Sequence, residues 1–164
     1  LIGGTDTLPK ALAATLYRLW QNPDQRRELA RDLSLVPDAF LEGLRLDTPT
    51  QHLGRTVIRE VEFDGKKLSP GQRCMFMWAS ANRDESVFPD PGTFDITREP
   101  VGQPQLTFGA GIHYCLGASL ARLEAQVALG TLVRRFDALE LATDAPAWNN
   151  RIVLRGLDAL RPAP

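Results

Sequence analysis

Cysteine and histidine are scarce in this chain, two of each among 164 residues. Cys74 and Cys115 show no regular spacing and no accompanying signal-peptide pattern. They make no disulfide framework and fit a reducing compartment, so the expected setting is cytoplasmic. A structural zinc site takes four Cys or His ligands, which would require His52, His113, Cys74 and Cys115 to converge on one point. Charge of one sign is missing too. Nineteen Lys and Arg face twenty Asp and Glu, for a formal charge of −1. That balance implies neither a nucleic acid nor a membrane surface as partner. There is no long hydrophobic run: the longest mostly apolar stretch, residues 11–20, contains Tyr17 and Arg18, and a bilayer-spanning helix needs about 20 apolar residues. Internal repeats, low-complexity tracts and flexible linkers are also lacking. The sequence opens at Leu1, without a methionine and inside an apolar stretch, which leads us to expect an N-terminal truncation.

The chain is nevertheless long enough to bury a continuous core as one domain. Leu12, Leu16, Leu19 and Trp20 carry the 3–4 spacing of an amphipathic helix over residues 10–21, stopped by Asn22-Pro23. Pro23 suits the first turn of a second helix, whose buried face is marked by Leu29 and Leu33. Pro37-Asp38 opens a third, running to about Leu46. From Gly54 to Met77 the pattern of Val57, Ile58, Val61 and Phe63 around an Asp64-Gly65 turn predicts a small antiparallel sheet. Residues 83–105 are rich in Pro, Gly and Asp and predict a long ordered loop. Leu116, Leu120, Leu123, Val127, Leu132 and Phe136 restore helical spacing, and short strands are expected over residues 139–142 and 151–160. The fold class is therefore mainly α with small antiparallel β-sheets, an α+β arrangement.

The most informative stretch is Phe108-Gly109-Ala110-Gly111-Ile112-His113-Tyr114-Cys115-Leu116-Gly117, directly before the last helix. A cysteine at a helix N-terminus meets unpaired N–H groups and the positive end of the helix dipole, which favour its thiolate. The glycines let the backbone pass close to a flat cofactor. The alternative is a buried free cysteine in a glycine-rich turn. Cys74, in the apolar run Cys74-Met75-Phe76-Met77-Trp78, is read as a small hydrophobe, and His52 as a surface or packing residue.

This segment resembles the cysteine loop of the cytochrome P450 family, with Phe108, Gly109, Gly111, His113, Cys115 and Gly117 at the matching positions. The resemblance implies the C-terminal half of the P450 fold, with the N-terminal half absent and residues 1–164 forming the haem-binding part of a single domain. It implies haem b as cofactor and Cys115 as the axial thiolate and metal ligand. It also puts Phe108 near the sulfur and His113 on a haem propionate. Glu42-Gly43-Leu44-Arg45 is similar to the family's E-x-x-R pair, and i, i+3 spacing sets both charges on one helical face. By resemblance the pair joins Arg98, in Phe94-Asp95-Ile96-Thr97-Arg98, to lock the loop leading to the cysteine. Its bland counterpart is a solvated surface pair. Gly43 departs from good helix formers at a cost of about 1 kcal/mol.

Gly3-Gly4-Thr5-Asp6-Thr7 resembles the family's oxygen-binding groove, with Gly3 in place of the commoner Ala. The resemblance makes Gly4 part of the cofactor cradle and has Asp6 and Thr7 relay protons toward dioxygen. The same residues also read as a cap for a helix starting near Leu8-Pro9. Arg55 matches an arginine that pairs with a haem propionate. Thr50, Gln51 and Leu53 would border the substrate pocket, joined by residues 151–154. Segments 80–85 and 120–124 have the look of the bacterial branch. By resemblance, the expected activity is that of a monooxygenase, which inserts one atom of O2 into a small organic substrate. Its electrons would come from NAD(P)H through a ferredoxin or flavodoxin-type donor, with Arg122 helping to dock it. The chain is expected to be inactive by itself. The competing expectation is a truncated, non-catalytic haem-binding or interaction remnant; isomerisation or peroxide-driven chemistry is a third.

Overall fold

The computed structural model describes residues 2–99, 105–135, 140–142 and 145–161. Five α-helices and four short strands occur there: α1 (Ile2–Gln21), α2 (Pro23–Arg31), α3 (Val36–Leu46), β1 (Leu53–Thr56), β2 (Val61–Phe63), β3 (Lys66–Leu68), β4 (Arg73–Phe76), α4 (Trp78–Ala81) and α5 (Ala118–Arg135). Short 3-10 turns lie at Leu33–Leu35 and Gly111–His113. No helix among these residues is long and apolar enough to cross a membrane.

The core forms where α1, α2, α3 and α5 meet, around Leu19, Leu29, Phe40, Leu44, Ile96 and Leu129. Each of these is at most 3% exposed, and full burial of such a side chain is worth roughly 1.5–3 kcal/mol. α1 and α3 approach closely because residue 43 is glycine. A Cβ there would overlap the Thr15 hydroxyl and lie 2.9 Å from Thr15 Cβ. The helix-propensity cost of Gly43 is thus exchanged for helix–helix contact.

α1 differs from its expected extent. It begins at Ile2 and runs through Pro9, so Thr5-Asp6-Thr7 lies inside the helix and does not cap one starting at Leu8. An internal proline removes one i→i−4 donor. Here burial of Ala11, Ala14 and Thr15 in the next turns, together with an i,i+4 ion pair of Asp6 with Lys10 across Pro9, holds the helix continuous. α2 ends at Arg31, so Leu33 belongs to the 3-10 turn, half-buried. Asp32 terminates the helix by accepting from the Ser34 N–H at 2.9 Å.

The expected single sheet is two separate ribbons. β1 pairs antiparallel with β4, and β2 with β3. Asp64 and Gly65, with φ of 49° and 69°, form the tight turn of the β2–β3 hairpin; two consecutive positive φ angles match the right-handed twist of its strands. Pro70-Gly71 turns the chain again, with Gly71 at φ 89° and Gln72 N–H donating to Ser69 O at 3.2 Å.

The C-terminal strands expected over residues 139–142 and 151–160 are not regular strands among the described residues. The tail makes isolated bridges, Thr50 with Leu154 and Trp148 with Leu157. It bonds to 49–51 on one side and to its own residues 147–149 on the other, through Gln51 N–H to Val153 O at 2.8 Å and Asp158 N–H to Ala147 O at 2.9 Å. Alternating partners leaves no ladder long enough to count. Leu139 and Phe136 lie outside the described residues.

α5 holds the largest departure. Leu116 precedes the helix, and Leu120, Leu123 and Val127, which carry the expected helical spacing, are 58–62% exposed. The buried face is Ala118, Ala125, Leu129, Gly130 and Val133. This side, which includes Leu129 and Val133, packs on α1 and α3, while Leu120, Leu123 and Val127 face outward.

Candidate functional site

The site is assembled by the segment between the 83–105 loop and α5. Gly109 N–H donates to Leu106 O at 2.8 Å, turning the chain at a glycine with φ 72°. A Cβ on Gly109 would only touch the Trp78 ring and His113 O, both at 3.4 Å, so it is the backbone angle that calls for glycine. Gly111, at φ 63°, begins the 3-10 turn that carries His113. Tyr114 is then extended, and Cys115 N–H returns to Phe108 O at 2.8 Å, closing the loop. Ala118 N–H donates to Cys115 O at 3.2 Å, which ties the cysteine to the first turn of α5.

Cys115 is a free, exposed thiol, not the buried cysteine of the alternative reading. Around it lie Ile112, 97% exposed, Leu116, 103% exposed, and Tyr114, also exposed. Gly111 and Gly117 face open space, with nothing within 4 Å of a Cβ built on either. No group of three or more His, Cys, Asp or Glu that could hold a metal ion occurs among the described residues. As an exposed thiol tied to the first turn of α5, Cys115 is placed to bind a metal whose other ligands come with a cofactor. The open, apolar surroundings fit a flat macrocycle resting on the loop, so these residues fit haem.

Behind the loop is a buried ionic lock. Glu42 accepts from Arg45 at 2.7 and 2.8 Å and from Arg98 Nε at 3.1 Å. Glu42 is 5% and Arg45 2% exposed, which rules out the solvated surface pair. Arg45 also donates to the carbonyls of Asn82, Pro91 and Thr93 at 2.8–3.0 Å, and Arg98 to those of Pro89, Asp90 and Thr93 at 2.5–3.3 Å. A buried ion pair is favourable only when its remaining donors are satisfied, and in this case loop carbonyls satisfy them. The expected three side chains thus meet, and together they pin the Pro-rich segment before the cysteine loop.

Sequence reasoning missed two further clamps. Asn82, fully buried, donates to the hydroxyls of Thr48 and Thr107 at 2.8 and 3.0 Å and accepts from Leu106 N–H at 2.6 Å. Thr107 in turn donates to Leu44 O at 2.9 Å, so α3, α4 and the start of the cysteine loop share one polar network. Asp47, 4% exposed, accepts from Arg18 at 2.6 and 3.0 Å and from Arg155 at 3.4 Å. Those bonds hold Arg18 protonated more firmly than an ordinary arginine, whereas burial pulls the neighbouring Arg83 down. The only sequence signal for either clamp is a polar residue inside an otherwise apolar or turn-rich stretch.

The remaining expected residues lie on two elements. Gly4, Asp6 and Thr7 are in α1; a Cβ on Gly4 meets nothing within 4 Å, and the Asp6 carboxylate is paired with Lys10. Gly3 is in α1, but its surroundings fall outside the described side chains. Thr50, Gln51 and Leu53 enter β1 beside the tail: Thr50 bridges Leu154 and Gln51 bonds Val153, with Leu53, Ile152 and Val153 apolar and exposed. The structure therefore brings the two expected pocket-lining segments together. Arg55, in β1 opposite Cys74, donates to Gly54 O at 3.0 Å. Cys74 is half-buried, and His52 is half-buried with its Nδ1 covered.

Comparison with known proteins bears directly on this architecture. The family model described as Cytochrome P450 matches residues 1–155. The cytochrome P450 CYP199A2 of Rhodopseudomonas palustris is 39% identical over 160 residues, covering 98% of this chain and 38% of that protein. The biotin biosynthesis cytochrome P450 of Bacillus subtilis is 40% identical over 141 residues, 86% of this chain and 35% of its own. Among solved structures, P450BioI in complex with a hexadec-9Z-enoic acid ligated acyl carrier protein superposes with a TM-score of 0.92 at 37% identity, over 97% of this chain and 41% of that one. The chain spans less than half the length of each of these proteins, and over that span, from α1 to the cysteine loop and beyond, it belongs to the cytochrome P450 family.

Proposed function

We propose that this chain supplies the C-terminal, haem-binding part of a monooxygenase that inserts one oxygen atom of O2 into a small organic substrate. The second oxygen leaves as water, with two electrons and two protons consumed. The observation that carries the reading is the exposed Cys115, closed onto Phe108 O and backed by the buried Glu42–Arg45–Arg98 lock. Haem b, when bound, supplies the oxygen activation; the chain's residues hold and orient it. In this reading Cys115 is its thiolate ligand, with Gly109, Gly111 and Gly117 giving clearance and Phe108 shouldering the sulfur. His113 and Arg55 would hold the propionates, and Gly4, with nothing within 4 Å of a Cβ built there, would leave room for the cofactor. Asp6 and Thr7 move protons, Asp6 releasing Lys10 as it does so. Thr50, Gln51 and Leu53, with the paired tail, line one side of the substrate pocket. Electrons come from NAD(P)H through a ferredoxin or flavodoxin-type donor, in the cytoplasm. The named relatives are bacterial, which accords with such a donor.

The test is an absorption spectrum of the haem-reconstituted protein, reduced under carbon monoxide, for the native sequence and for Cys115→Ala. A strongly red-shifted Soret band that disappears in the variant is the expected result. A protein that binds haem without that band, or keeps it without Cys115, overturns the assignment. The competing reading, a haem-binding remnant without catalysis, predicts the same band but no substrate-dependent consumption of NAD(P)H by the longest protein that carries this sequence.

A further inference from the structure

Arg122, on α5, is the residue near the cysteine loop whose surroundings least resemble those of a surface arginine. Its guanidinium carbon lies 5.0 Å from the centre of the Phe108 ring. The side chain is half-buried, and its Nε is covered with no hydrogen-bond partner. A guanidinium with a buried, unbonded N–H is poorly placed for hydrogen bonding yet well placed for attraction to a ring face. That ring is itself fixed: Phe108 packs against the core and lies 6.4 Å from the Tyr114 ring. The backbone carbonyl of Phe108 accepts the Cys115 N–H at 2.8 Å. A direct series of contacts thus runs from Arg122 through the Phe108 ring to the backbone of the cysteine.

We infer that Arg122 is a positioning residue that clamps Phe108 beneath the cysteine loop and sets, by its fixed positive charge, how easily the metal held by Cys115 is reduced. This rests on Cys115 being the haem ligand. A positive charge linked to a thiolate-ligated centre through the single residue Phe108 stabilises the more negative member of its redox pair, here the ferrous form. The charge is kept from solvent by the ring on one side and by burial of Nε, so bulk salt screens it less than an exposed arginine.

The experiment is a ferric/ferrous redox titration of the haem-loaded protein with native sequence, Arg122→Met, Arg122→Lys, Phe108→Leu and the Phe108→Leu/Arg122→Met double variant. At a fixed potential Arg122→Met is expected to lower the ferrous-to-ferric ratio by about tenfold, equivalent to roughly 59 mV for a one-electron couple. Arg122→Lys should retain most of the native ratio. In the Phe108→Leu background the Arg122→Met effect should shrink, since the ring that holds the charge is gone. An unchanged potential in Arg122→Met, or an equal shift with and without Phe108, overturns the inference. Should Arg122→Met fail to take up haem, rescue of uptake by Arg122→Lys supports a role for the charge, and failure of Lys to rescue overturns it. A native protein without the thiolate Soret band overturns the haem-ligand reading and this inference with it. A normal native band with a silent Arg122→Met overturns this inference alone.

Discussion

Glu42 Oε1 accepts a hydrogen bond from Arg98 Nε at 3.1 Å across 56 residues of sequence, so a carboxylate on α3 fixes the loop that leads into Cys115. The same carboxylate takes both Arg45 bonds from its own helix and also accepts the Asp95 N–H at 3.1 Å. One acidic side chain therefore bridges two arginines and anchors the Asp95 backbone beside them.

Glu42→Gln should accordingly be among the most damaging single changes. It leaves the guanidinium of Arg45, 2% exposed, without its counter-charge, and breaking a buried pair by removing one partner costs about 3–5 kcal/mol. Chemical denaturation should show a loss of that order, and haem uptake should fall with it. A variant as stable as the native protein would mean that the loop carbonyls alone support Arg45.

Gly43→Ala brings a methyl group onto Thr15. Overpacking of this kind costs about 1–3 kcal/mol, more than the helix propensity of alanine returns. Thr15→Ala in the same chain should restore much of the loss. Thermal unfolding of the two single variants and the double variant measures the coupling, and simple additivity would show that α1 and α3 do not meet there.

Asn82→Leu removes the acceptor of Leu106 N–H and the donor to Thr48 and Thr107. Each buried polar group left unsatisfied costs about 1–3 kcal/mol. Because Leu106 starts the cysteine loop, haem retention should be lost at lower denaturant concentrations than global unfolding. Coincident loss of haem and helix signal would argue against a local role.

Asp32 and Asp84 are each held below the usual carboxylate range by the hydroxyl of the serine two residues on, then by that serine's N–H. A lowered folded-state value means that the unfolded chain binds the proton more tightly. The contribution is present at neutral pH and is lost as pH falls through the carboxylate range and below it. Ser86→Ala should raise the Asp84 midpoint, read by NMR titration of its carboxyl carbon; an unmoved midpoint would remove the serine as the cause. Arg18 is shifted the other way, upward, so its contribution lies below the ordinary arginine value and is constant over all practical pH.

The sequence by itself determined the elements whose signals are local: helix boundaries at Asn22-Pro23 and near Leu46, the Asp64-Gly65 turn, and a glycine-rich cysteine loop directly before the last helix. Spacing three apart likewise set Glu42 and Arg45 on one helical face, whereas Arg98 came in only through the resemblance to the P450 family. Tertiary structure alone decided the rest. Helical periodicity in α5 could reveal that Leu120, Leu123 and Val127 share a face but not that this face is exposed, because the core is met instead by the side carrying Ala125, Leu129 and Val133. Proline at position 9 reads locally as a helix start, yet packing of the next turns carries α1 straight through it. Asn82 and Asp47 look like ordinary polar residues until the partners that bury them arrive from distant segments, since hydrogen bonding and desolvation depend on neighbours in space.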